Sequence, residues 1–173
     1  KKKYLFVSHF ISKKNIQEDQ FFCNIPNFKI SDSTILLRNH SKYSNKDVEN
    51  FYKNSAIDRI IMPKGFSFTT KLLFIFNFLI SFFLIIKKII FVPNNKIKKN
   101  ILLFLRFKNI SQSIINLHYY SVIKKIIKKN NFEKIFLTFE GHSWERYVIN
   151  AAKNNNKNII CIGYQFSVII NNN

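Results

Sequence analysis

One stretch of this chain constrains its fold more than any other, because it dictates which way neighbouring strands must run. Phe132 to Phe139 is a run rich in Phe, Ile and Leu, with the length and composition of a buried strand. Glu140-Gly141-His142 follows as a tight polar connection, and Ser143 is placed to cap a helix. Trp144, Tyr147, Val148, Ala151 and Ala152 then fall at i, i+3, i+4, i+7 and i+8, one face of a helix. Asn154 to Asn158 makes a turn, and Ile159 to Tyr164 is a second apolar strand. This is a complete βαβ unit, so its two strands are parallel and joined by a right-handed crossover.

The rest of the chain fits around that unit. Tyr4 to Val7, Asp32 to Leu37 and Ile57 to Met62 read as three further strands, the last stopped by Pro63 and Gly65. Asn45 to Lys53 is a short polar helix. Ser111 opens an amphipathic helix whose apolar face carries Ile115, Tyr119, Val122, Ile123 and Ile126, and Asn130-Asn131 closes it. Strands alternating with helices predict an α/β fold, a Rossmann-like parallel sheet flanked by helices, in a single domain over residues 1–173. The chain opens on Lys1 and stops at Asn171-Asn172-Asn173 just after an apolar run, which reads as a piece of a longer protein.

Phe66 to Val92 is the most hydrophobic segment. Its centre, Leu72 to Ile86, is shorter than the about 20 apolar residues of a membrane span. Thr70, Asn77, Ser81 and Lys88 fall on one narrow stripe of a helix. A helix apolar except for one stripe either packs inside a protein or lies in a membrane surface, and the flanking Lys64, Lys71, Lys87, Lys88, Lys96, Lys98 and Lys99 suit anionic headgroups.

The formal net charge of +19 points the same way, toward anionic partners. Over-use of Lys, Asn, Ile and Phe is also what AT-rich coding produces, so composition accounts for part of it. The aromatic residues are mostly Phe inside apolar runs, and no base-reading module is present, so no specific nucleic-acid partner is expected. The two cysteines, Cys23 and Cys161, form neither a disulfide framework nor a metal spacing, which fits a reducing cytoplasm. With three glycines in the whole chain, there is no phosphate loop and no dinucleotide fingerprint; a nucleophile elbow and a paired acidic metal motif are missing too.

In an open parallel sheet, ligands bind beyond the carboxyl ends of the strands. One such end carries Glu140, Gly141 and His142, and another carries Tyr164, Gln165, Phe166 and Ser167; His9, after the first strand, joins the same edge. Glu140 is placed to act as a general base on a hydroxyl. Gly141 permits a sharp turn and close approach of a ligand, and the N–H groups of the following helix start favour an anion. His142 suits phosphate binding or proton transfer, and Gln165 suits reading a hydroxyl or amide. The plainer alternative has Glu140 capping the helix and His142 solvated. Trp144 reads as core packing and Glu145 as a favourable charge at the helix start. His40 and His118 stand alone and receive no role.

The order strand, EGHSWE, apolar helix, strand, IGYQFS resembles a group of bacterial surface carbohydrate biosynthesis proteins of capsule and O-antigen type, with a GT-B glycosyltransferase-like arrangement. The matching residues are Glu140, Gly141, His142, Trp144, Glu145, Gly163, Tyr164, Gln165 and Ser167. The specific part of the likeness runs from Phe136 to Ser167. It departs at Phe166, where the family pattern has His. The resemblance implies the N-terminal, acceptor-facing half of a two-domain transferase, whose donor-binding domain would lie beyond this chain. It implies Glu140 and His142 as catalytic residues and Gly141, Gln165, Ser167 and His9 as substrate contacts. It implies a nucleotide sugar and a glycan or lipid-linked acceptor as substrates, with no resident cofactor. The expected location is cytoplasmic, at the inner face of the plasma membrane. A non-catalytic membrane-surface component of a polysaccharide assembly complex is the alternative.

Overall fold

A computed structural model describes residues 2–12, 19–91 and 114–165. Five strands form one sheet: β1 (Tyr4–Phe10), β2 (Ser33–Asn39), β3 (Asp58–Ile61), β4 (Lys134–Thr138) and β5 (Ile160–Tyr164). Every pairing is parallel, and the strand order is β3-β2-β1-β4-β5. Among the described residues four α-helices accompany them: α1 (Asn45–Phe51), α2 (Phe68–Phe91), α3 over 114–129, and α4 (Ser143–Asn155). The chain is an α/β protein with a Rossmann-like parallel sheet flanked by helices.

Both faces of the central strands β1 and β2 are buried, so each carries a continuous apolar run, Leu5-Phe6-Val7 and Ile35-Leu36-Leu37, rather than alternating, whereas the edge strand β5 is largely exposed. Leu5, Val7, Leu36, Ile135 and Leu137 pack under Tyr119 and Ile123 of α3 and Trp144, Val148 and Ala151 of α4. On the other face Phe6, Phe10, Ile35 and Ile61 meet Val48 of α1 and Phe22 of the loop after β1. A 3-10 helix, Ile25–Asp32, leads into β2 and has no periodic signal in the sequence. At the start of α1, Ser44 and Asp47 form a reciprocal capping box.

β1 is longer than the apolar run that announces it. Ser8 is fully buried because its hydroxyl donates to Asp19 Oδ1 at 2.8 Å. The same oxygen accepts from the N–H groups of Phe21 and Phe22, both at 2.9 Å. Polar Ser8 and His9 therefore continue the strand, and His9 sits within it rather than after it.

α2 turns an apolar face outward. Phe68, Leu72, Ile75, Phe76, Leu79 and Phe83 are all exposed, Phe76 and Phe83 at 63% and 67%. Its inward side includes the half-buried Thr70, Phe74 and Phe78. Among the described residues, none covers this face. Asn77, Ser81 and Lys88 of the polar stripe lie outside the described side chains, as the basic stretch 92–110 lies outside the described residues. Among the described residues, no helix is long and apolar enough to cross a membrane.

Candidate functional site

The chain builds outward from β1 to β2 and β3, then returns to lay β4 against the other side of β1. The boundary between β1 and β4 is therefore the topological switch point, where connections leave in opposite directions and open a crevice at the carboxyl ends. A hollow of about 550 Å³ lies there, lined by His9 of β1, Arg38 of β2, His40 just beyond it, and Glu140, His142 and Trp144 around the start of α4.

Gly141 adopts φ +84°, a conformation open to glycine, so the turn from β4 into α4 needs this residue. A Cβ there would meet nothing within 4 Å, so the requirement is backbone conformation and not space. The N-cap is His142, one residue earlier than expected, and its side chain makes no capping bond. Ser143 instead lies inside the helix, and its hydroxyl donates to Asn116 Oδ1 at 3.3 Å.

Glu145 does more than complement the helix dipole. It is fully buried, and its carboxylate accepts the N–H of Glu140 at 2.9 Å and that of Gly141 at 3.1 Å. Those two N–H groups, which precede the helix, are therefore occupied and do not serve an incoming anion. What the clamp provides is rigidity in the turn that carries the candidate catalytic side chains.

Glu140 does not cap α4. Its carboxylate faces His142, with Oε2 3.6 Å from Nε2, and the two side chains are 34% and 60% exposed. Both line the hollow while remaining open to solvent.

Across the hollow, His9 and Arg38 are register partners on β1 and β2. His9 Nδ1 lies 3.0 Å from His40 Nε2. Burial, reinforced by charge repulsion across the site from His40 and then Arg38, lowers the His9 pKa to about 4. His40 is lowered as well, by burial and then by Arg38. Near neutral pH this pair offers hydrogen bonds without charge, and Arg38 supplies the positive charge.

Trp144 is buried, as its place on the apolar helix face implies, and it also shapes the site. Its ring stacks on Tyr119 at 4.7 Å and meets the edge of His9 at 5.2 Å, while the Arg38 guanidinium lies 5.1 Å from the Tyr119 ring centre. This aromatic stack ties α3 and α4 to the polar groups of β1 and β2.

Glu140, Gly141, His142 and His9 thus converge, with Gly141 as the turn and the other three on the wall. Gln165 follows β5 on the same sheet edge, exposed and not part of that wall. Ser167 and Phe166 lie outside the described residues. Arg38 and His40 are the site residues that sequence reasoning missed. Among the described residues, no group of three His, Cys, Asp or Glu side chains could hold a metal ion.

No family model matches this chain, and no curated protein matches it. Among solved structures it is similar to the C-terminal domain of a hydrogenase from Pyrococcus furiosus, at 11% identity and a TM-score of 0.40, over 94% of this chain and 91% of that one.

Proposed function

We propose that this chain is the acceptor-facing domain of a GT-B-like glycosyltransferase of bacterial surface polysaccharide biosynthesis. One observation carries the reading: a partly exposed carboxylate, Glu140, stands at a switch-point hollow, opposite an arginine and a pair of neutral histidines. Glu140 takes the proton of an acceptor hydroxyl. That oxygen forms the bond to the sugar's anomeric carbon, and the nucleoside diphosphate leaves with the electron pair. His142 pairs with Glu140 and orients its carboxylate. His9 and His40 read hydroxyl groups, and Arg38 attracts a phosphate. The nucleotide sugar is a substrate held largely by a further domain, and Gln165 and Ser167 are additional contacts with it or with the acceptor. The site works at the cytoplasmic face of the plasma membrane.

In the full-length protein Glu140→Gln removes the base while preserving shape. Sugar transfer, followed with radiolabelled nucleotide sugars, is expected to fall about 10²–10⁴-fold with an unchanged circular dichroism spectrum. Undiminished turnover takes Glu140 out of the mechanism.

A second reading, a non-catalytic membrane-surface component, is favoured by the outward apolar face of α2 and the exposed Lys64, Lys71 and Lys87 near its ends. Such a face suits the headgroup boundary of an anionic bilayer. Flotation with phosphatidylglycerol and phosphatidylcholine vesicles separates the cases. Binding confined to the anionic vesicles and lost on Phe76→Asp with Phe83→Asp supports attachment; equal behaviour of both proteins removes α2 from any membrane role.

A further inference from the structure

Beside the Glu140 hollow lie two more, and they have a different chemistry. The first, about 250 Å³, is lined by Arg38, Lys64, Phe66, Ile115 and His118 among others. The second, about 420 Å³, adjoins it through Pro63, Phe66 and His118, and continues past Thr70 of α2 to Val122, Lys125 and Ile126 of α3. Together they reach the size range of small-molecule sites, roughly 300–1,000 Å³. Their walls are mainly apolar. Three cations, Arg38, Lys64 and Lys125, border them, and among the described residues neither wall contains a carboxylate.

The hollows join features already described. Arg38 and Ile115 line both the first hollow and the Glu140 site, so the two are neighbours across those side chains. The second begins where α2 begins, at Ser67 and Thr70, so it borders the start of the helix with the outward apolar face. His118 forms the shared wall. Its ring meets Phe66 edge-on at 4.7 Å and donates to the Pro63 carbonyl, which fixes the segment after β3. Its other nitrogen, Nε2, is buried and has no hydrogen-bond partner among the described residues. A buried polar atom without a partner is uncommon in folded proteins, and a ligand in the adjoining hollow is one arrangement that would satisfy it.

We propose that these hollows receive the apolar tail of an anionic amphiphile, with its phosphate-type head at the Arg38 and Lys64 end, next to Glu140. The charge complementarity selects an anion, the apolar walls select a hydrocarbon chain, and the order of hollows from α2 to Glu140 gives the molecule a direction. This rests on the transferase reading insofar as it makes the amphiphile the acceptor, with its head delivered to the base. The binding itself is independent of it.

The test is calorimetric titration of the full-length protein with farnesyl monophosphate below its critical micelle concentration, with farnesol and inorganic phosphate as separate arms. Farnesyl monophosphate is expected to bind at one site per chain. Farnesol should bind about tenfold or more weakly for want of the charge-assisted contacts, and inorganic phosphate weaker still for want of buried apolar area. Lys64→Glu, an exposed substitution, and Val122→Trp, which fills the second hollow, should each weaken farnesyl monophosphate about tenfold or more. If Val122→Trp does not fold, Thr70→Trp at the half-buried start of α2 serves instead. Equal binding of farnesol and farnesyl monophosphate, or wild-type binding by the variants, overturns the proposal. The unmutated protein separates the two readings, because amphiphile binding and sugar transfer are measured independently. A protein that binds the amphiphile but transfers no sugar overturns the transferase alone. One that transfers sugar to a water-soluble acceptor but binds no amphiphile overturns this inference alone.

Discussion

His9 and His40 meet nitrogen to nitrogen across 3.0 Å, so one ring must donate to the other's lone pair. Protonating both would place two positive charges side by side next to Arg38. In the folded protein His9 protonates only near pH 4, because burial and then the neighbouring positive groups oppose the charge. An unfolded histidine protonates near pH 6.5. The unfolded state therefore takes up the proton first as pH falls. The contribution of His9 to stability is complete above about pH 6.5 and is lost progressively down to about pH 4, on the order of 3 kcal/mol at most. Urea unfolding at pH 7.5, 5.5 and 4.5 measures it. Wild type should lose more stability over that window than His9→Gln, and parallel losses would show that His9 is not the titrating group.

Glu145 supports the turn from below. Glu145→Ala leaves the part-buried N–H groups of Glu140 and Gly141 without their acceptor, and should cost about 1–3 kcal/mol. Glu145→Gln retains one acceptor oxygen and should cost less. Denaturant midpoints for the two variants give the ranking.

Trp144 is held by two rings at once. Trp144→Ala removes a buried indole between Tyr119 and His9, and is expected to cost about 3–5 kcal/mol. Trp144→Phe keeps part of the stack and should cost less, while admitting water to His9. The His9 titration, followed by NMR, should then move up from its value near 4 toward the ordinary range. An unmoved titration would mean that the indole does not shield the imidazole.

The three glycines separate space from conformation. At Gly141 a side chain has room but the backbone is left-handed, so Gly141→Ala should cost about 1–2 kcal/mol. At Gly163 the backbone is ordinary, but a Cβ would lie 2.8 Å from Phe139 Cβ, and Gly163→Ala should cost about 1–3 kcal/mol by forcing β5 from the end of β4. At Gly65 neither limit applies, and Gly65→Ala should be neutral or stabilise by up to about 1 kcal/mol. Thermal unfolding of the three variants side by side checks the order.

The elements were legible wherever periodicity was strong. β4, α4 and β5 could be placed from their apolar spacing and the Glu140-Gly141-His142 punctuation, within two residues at each end. β1 was read short because Ser8 and His9 look like a strand's end. Their burial depends on Asp19, and a hydrogen bond across a loop leaves no periodic trace. The candidate site was half legible. Glu140, His142 and His9 announced themselves as polar residues at or near carboxyl ends. Arg38 and His40 did not, because only the strand order reveals that β2 borders the strand carrying His9. The surroundings of α2 were not legible, since apolar periodicity alone does not say whether protein or lipid lies against a helix.

The strand order has a consequence for how this protein is made. β1 leaves the ribosome before both of its partners, and one of them, β4, lies 130 positions later, with Tyr4 opposite Lys134. Until β4 is made, β1, β2 and β3 can pair only among themselves, leaving one apolar edge of β1 open. Non-local pairing of this kind is slow, and an open edge recruits other chains. During translation Phe6 and Val7 are then the positions where a nascent chain most needs a chaperone, and slowing the ribosome between β3 and β4 should lower the soluble yield.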